Sequence, residues 1–119
     1  MARVLIVDDS LIMRSSMEMI IKSLGHEVVG KAKDGKEAIK LYEDLSPEIV
    51  TMDLTMPEMD GISAVKEIVL YDPGAKIIVV SALNQKKLFL EAIQSGAVNY
   101  LIKPVKKLKL KEAFDKLLK

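Results

Sequence analysis

The chain has 119 residues, no cysteine, a single histidine and a formal net charge of +1. That length supports one domain. The composition excludes a disulfide scaffold, a Cys-ligated zinc site, a Cys nucleophile and a His-based metal cluster, and the charge gives no global pull toward nucleic acid or a membrane surface.

The predicted elements alternate along the chain. Arg3–Val7 reads as a strand, apolar and bounded by polar residues, and it ends in Asp8-Asp9. Leu11, Ile12, Ile20, Ile21 and Leu24 then fit one face of a helix that stops at Gly25. His26 follows in the turn and reads as a surface residue. Glu27–Ala32 is a second strand, and Asp34 with Glu37 forms a capping-box-like pair ahead of Ala38, Ile39 and Leu41. Glu48–Met52 is a third strand, ending in Asp53. A helix runs from Ile62 to about Leu70 and is stopped by Asp72-Pro73-Gly74. Ala75–Val80 is a fourth strand, ending in Ser81. Leu88, Phe89, Ala92 and Ile93 mark a helix that ends at Gly96. Asn99–Ile102 is a fifth strand, ending in Lys103-Pro104. The last helix carries Leu108, Leu110, Ala113, Leu117 and Leu118.

Strand–helix alternation of this kind implies an α/β fold, a parallel sheet with helices on both faces. Strands apolar without alternation are buried on both sides, as a parallel sheet requires. The longest apolar runs, Val4–Val7 and Ile77–Val80, have four residues, against about 20 for a transmembrane helix. The N-terminus is too short and too acidic for a signal peptide. The chain is therefore expected to be cytoplasmic. The methionines at 13, 17, 19, 52, 56 and 59 read as core filling and loop packing. Residues 103–119 carry seven lysines against Glu112 and Asp115. They read as a solvated helix face, with a docking surface for an acidic partner as the second reading.

Ligands of open parallel sheets sit beyond the carboxyl ends of the strands. Here those ends deliver Asp8, Asp9, Asp53, Ser81 and Lys103 to one edge. Three carboxylates brought together repel unless one is protonated or a cation sits among them. Carboxylates without His or Cys favour a hard cation, Mg2+ or Mn2+. Asp53 is then a nucleophile type suited to phosphoryl transfer, with Lys103 and the Ser81 hydroxyl able to hold phosphoryl oxygens.

The pair Asp8-Asp9, the segment from Met52 to Gly61, the pair Ser81-Ala82 and Lys103-Pro104 together resemble the receiver domain of two-component response regulators, in particular the single-domain, CheY-like chemotaxis type. The resemblance spans essentially residues 1–119 as one receiver domain. It implies a flavodoxin-like sheet of five strands in the order 2-1-3-4-5 with five helices. It implies Asp53 as phosphoacceptor, and a Mg2+ site of Asp8, Asp9, Asp53 and the Thr55 main-chain carbonyl. Ser81 and Lys103 would contact the phosphoryl group, with Ser81 and Tyr100 as the switch pair. It also implies a cis bond at Lys103–Pro104 in many members.

The expected partners are a histidine kinase as phosphoryl donor and a downstream protein, the flagellar motor switch in chemotaxis. The target would meet the face formed by the fourth helix, fifth strand and fifth helix. The chain is expected to be a monomer that binds neither nucleic acid nor membrane, and to promote only its own phosphorylation and dephosphorylation rather than act as an enzyme. No output domain is expected to follow, which also fits a phosphorelay intermediate or phosphate sink. From other classes, a Mg2+-dependent phosphatase with an Asp nucleophile would place its acids as Asp-x-Asp after one strand. A flavin module would need a phosphate loop where Asp8-Asp9 stands.

Overall fold

Each apolar run becomes a strand and each amphipathic stretch a helix. The computed structural model describes residues 1–54, 56 and 59–119. Its elements are β1 (Arg3–Val7), α1 (Leu11–Ser23), β2 (Glu27–Ala32), α2 (Gly35–Leu45), β3 (Ile49–Asp53), α3 (Gly61–Tyr71), β4 (Ile77–Ser81), α4 (Lys86–Ser95), β5 (Asn99–Ile102) and α5 (Lys107–Leu117). The strands form one parallel sheet in the order β2-β1-β3-β4-β5. This is the expected order, and the Lys103–Pro104 peptide is cis, as the resemblance implies.

Alternate residues of the central strands point to opposite faces, so the sheet carries two cores. Leu5, Val7, Val50, Met52, Ile77 and Val79 pack with Ala38, Tyr42, Ala64, Val65, Ile68 and Ala92 of α2, α3 and α4. Val4, Ile6, Ile49, Ile78 and Val80 pack with Met17 and Ile21 of α1 and with Leu110, Ala113 and Phe114 of α5.

Three helices turn differently from the expected faces. In α1 the buried pair is Met17 and Ile21, four residues apart. Leu11 and Ile12 lie roughly 120–140° around the helix from Met17 and are 69% and 79% exposed. In α4 only Ala92 is buried, while Phe89 and Ile93 face outward. In α5 Leu108 and Leu118 are exposed, and the core residues are Leu110, Ala113 and Phe114. The methionine reading holds for Met17 and Met52, which are buried, and for Met56 and Met59, which pack against the core; Met19 is exposed.

Local chemistry sets the helix starts near the functional edge. Ser10 accepts from the Met13 N–H, Asp34 from the Glu37 N–H and Asp60 from the Ser63 N–H, each the N-cap bond that satisfies an orphan donor. Glu37 also accepts from the Lys33 N–H, close to the reciprocal pairing anticipated from the sequence. Two helix starts need glycine. A Cβ at Gly61 would stand 2.2 Å from the Asp53 carbonyl oxygen, and one at Gly35 would stand 2.7 Å from the Met59 carbonyl oxygen.

Candidate functional site

The strand ends converge. Asp8 follows β1 directly, Asp53 and Ser81 are the last residues of β3 and β4, and Lys103 follows β5. The boundaries differ by a residue from the sequence expectation because Asp53 pairs with Val80 and Ser81 with Ile102 in the ladder. Both functional side chains are therefore fixed by strand backbone rather than carried on loops. Asp8, Asp53 and Ser81 are buried, at 7%, 6% and 1% exposure. Asp9 is exposed.

Carboxylate oxygens of Asp8, Asp9 and Asp53 all lie within 4.8 Å of one another. The Lys103 ammonium stands against them, with Nζ 2.8 Å from Asp8 Oδ2 and 3.4 Å from Asp53 Oδ1. Burial alone would lower the lysine pKa. The hydrogen bond to Asp8 and the fields of Asp53 and Asp8 outweigh that and hold it above the usual value. Lys103 is therefore a fixed cation at the bottom of the cluster. One ammonium does not neutralise three carboxylates, and the all-oxygen donor set suits a hard divalent cation. Thr55, whose carbonyl was expected to complete that site, lies outside the described residues.

Asp8 is held at every oxygen. Its Oδ1 accepts from the Ser10 N–H at 2.9 Å, its Oδ2 from Lys103, and its main-chain carbonyl from Arg14 Nη1 at 2.7 Å. Its N–H donates to the Ala32 carbonyl at 3.0 Å. Asp9, by contrast, has no hydrogen-bond partner among the described residues. The two adjacent acids thus differ: one is built into the frame and the other is available to a ligand.

Ser81 and Tyr100 are brought together through a third residue that the sequence did not single out for this. The Leu83 N–H donates to Ser81 Oγ at 3.0 Å, and the Tyr100 hydroxyl donates to the Leu83 carbonyl at 2.6 Å. The Tyr100 ring is half-buried and meets Phe89 of α4 edge-on at 5.9 Å. Around it lies an apolar surface of Leu83, Phe89, Leu90, Ile93 and Ile102, each 38–43% exposed. An open groove of about 390 Å³ runs beside it, lined by Tyr100, Ile102, Pro104, Val105, Lys106 and Lys109 among others.

His26 is not a plain surface residue. Its Nδ1 accepts from the Ala2 N–H at 2.9 Å and its ring lies 5.1 Å from that of Phe114. It sits among residues of the N-terminus and α5, remote in sequence from the strand-end cluster, and nothing local in the sequence marks it. Among the described residues, no helix is long and apolar enough to cross a membrane.

The chain is similar to known proteins. Residues 4–115 match the family described as the response regulator receiver domain. The chain is 50% identical over 117 residues to the chemotaxis protein CheY of Thermotoga maritima, covering 98% of both chains. It is 46% identical over 116 residues to the chemotaxis protein CheY of Bacillus subtilis, covering 98% of this chain and 97% of that one. Among solved structures, a CheX–CheY–BeF3–Mg2+ complex from Borrelia burgdorferi contains a chain that superimposes with a TM-score of 0.95 at 34% identity, covering 98% of this chain and 89% of that one.

Proposed function

Since this chain belongs to the response regulator receiver domain family, we propose that residues 1–119 act as one phosphorylation-activated switch in chemotaxis signalling, with Asp53 as the phosphoacceptor. The observation that carries this reading is the meeting of Asp8, Asp9 and Asp53 oxygens within 4.8 Å, with Lys103 against them. It is a site that concentrates negative charge, supplies one fixed cation and leaves one acid available.

An Asp53 carboxylate oxygen attacks phosphorus of a phosphohistidine or acyl phosphate. The new O–P bond forms as the donor's P–N or P–O bond breaks, and the leaving imidazole or carboxylate takes the electron pair. Asp9 and Asp53, steadied by Asp8, would hold Mg2+. When bound, it supplies charge neutralisation for the phosphoryl oxygens. Lys103 pairs with a phosphoryl oxygen on the product, since its pKa keeps it charged. The Ser81 hydroxyl, now accepting from the Leu83 N–H, donates to another. The aspartyl phosphate brings about −1.5 to −2 of charge. Ser81 and the Leu83 peptide respond first, then Tyr100 and the α4–β5–α5 face. This is a local charge change biasing a movable element.

The donor is a histidine kinase and the downstream partner docks on the α4–β5–α5 face. The protein signals by binding and has no turnover of an external substrate. It works as a cytoplasmic monomer. Phosphatase chemistry is disfavoured by the placement of the acids. Asp8 and Asp9 follow β1, whereas Asp53 closes β3, with no Asp-x-Asp at one strand end.

Amide NMR spectra with acetyl phosphate and Mg2+ test the switch. Shifts at Ser81–Phe89 and at Tyr100, absent in Asp53→Asn, are the expected result. Phosphorylated protein with those resonances unmoved would overturn it, and steady turnover of a generic phosphate ester would favour the phosphatase.

A further inference from the structure

We propose that Arg14 is a positioning residue for the cation site, holding the Asp8–Asp9 peptide in the orientation that presents Asp9. The inference rests on the metal-site reading above. Arg14 is the fourth residue of α1 and is half-buried. Its Nη1 donates to the Asp8 main-chain oxygen at 2.7 Å. Among the described residues, that carbonyl is the partner of its guanidinium. A surface arginine would ordinarily seek a carboxylate, and Asp8 and Asp9 are both at hand. Arg14 instead grips the backbone between them.

The consequence follows from covalent geometry. The Asp8 carbonyl and the Asp9 N–H belong to one rigid peptide plane. Holding the carbonyl restrains the plane, and with it the Asp9 N–Cα bond from which that residue's side chain departs. Asp9 itself is exposed and has no hydrogen-bond partner among the described residues. The Ser10 N–H bond to Asp8 Oδ1 closes a ring through the same peptide, and Arg14 adds a direct hold on its carbonyl oxygen, while Lys103 holds the Asp8 side chain. A charge-assisted bond to a carbonyl is about twice as strong as a neutral one. Orienting groups behind metal ligands typically change metal affinity by about 10–100-fold when removed.

The sign of the effect separates positioning from plain electrostatics. Arg14 is a cation beside a cation site. By Coulomb's law alone, its removal would tighten Mg2+ binding. By positioning, removal loosens it. Isothermal titration of the intact protein with Mg2+ reads the difference, using wild type, Arg14→Met, Arg14→Lys and Asp9→Asn. Arg14→Met is expected to weaken Mg2+ binding about tenfold. Its melting temperature in EDTA is expected to fall by roughly 5–10 °C, as loss of one charge-assisted hydrogen bond requires, with the fold retained. Arg14→Lys keeps the charge and one donor, and is expected to recover most of the affinity. Unchanged or tighter binding by Arg14→Met, with wild type binding and Asp9→Asn not, would overturn the positioning role and leave the metal site standing. Wild-type protein that binds no Mg2+ would overturn both.

Discussion

The Tyr100 hydroxyl and the Leu83 carbonyl are 2.6 Å apart, and this bond ties β5 to the segment that follows Ser81. The same Leu83 peptide donates its N–H to Ser81 Oγ. A single residue therefore joins the buried hydroxyl at the proposed phosphorylation edge to the aromatic ring on the proposed docking face. Tyr100→Phe removes the bond and keeps the ring against Phe89. A hydrogen bond of this kind contributes about 1 kcal/mol, so amide exchange at Ala82–Gln85 is expected to quicken about fivefold. The phosphorylation rate is expected to stay within about twofold of wild type. Unchanged exchange would show that the bond does not restrain the segment.

Leu83 also has a side-chain consequence. It lies two residues beyond Ser81 and is 43% exposed, and we propose that it flanks the path of a water approaching the aspartyl phosphate. A bulky apolar group there hinders the water, and a carboxylate would admit and orient it. The Leu83→Glu phosphoprotein is expected to lose its phosphoryl group several-fold faster than wild type, followed as decay of the phosphorylated mass. Equal lifetimes would remove Leu83 from the account.

The start of α3 has no room for a side chain at Gly61. An added methyl would meet the Asp53 carbonyl oxygen at 2.2 Å and the Leu54 Cα at 2.7 Å, and neither is the end of a flexible side chain. Gly61→Ala is expected to cost about 2–3 kcal/mol in denaturant unfolding and to slow phosphorylation, because the backbone that yields is that of Asp53. Gly74→Ala serves as the control. Its nearest neighbour would be Asp72 Oδ1 at 3.5 Å, and its effect is expected to stay within about 0.5 kcal/mol.

His26 gives the fold a pH dependence. Burial holds its pKa below the ordinary 6.5, the N-terminal ammonium pushes the same way, and Asp115 and Glu48 oppose. Its Nδ1 accepts a hydrogen bond from Ala2, which requires that nitrogen to be unprotonated. The unfolded chain therefore binds the proton more readily than the folded one. The stability His26 contributes is complete above pH 6.5 and is lost as pH falls through the lower folded value. Melting temperatures measured from pH 7.5 down to about 5 are expected to fall more steeply for wild type than for His26→Gln. Parallel curves would contradict this.

Much of the site was legible because it is a property of strand ends. Asp8-Asp9, Asp53, Ser81 and Lys103 each close a short apolar run, and a parallel sheet brings such ends to one edge. The strand order itself came from resemblance to the receiver family. The rest depends on contacts that no local pattern encodes. Leu11 and Ile12 look like core residues of α1, yet the helix turns Met17 and Ile21 inward, into the cluster that holds Val4, Ile6 and Phe114. His26 acquired its role from Phe114 and Ala2, far away in sequence. Arg14 was not singled out in the sequence, because only the folded chain brings its guanidinium to the Asp8 carbonyl.

The central claim is that Asp53 accepts a phosphoryl group in a cation-dependent site. Intact mass after incubation with acetyl phosphate, with Mg2+ or with EDTA, tests it on the native protein and on Asp53→Asn. The account predicts a gain of one phosphoryl group that requires Mg2+ and is absent in the variant. A gain that persists in Asp53→Asn, or that is indifferent to Mg2+, would contradict it.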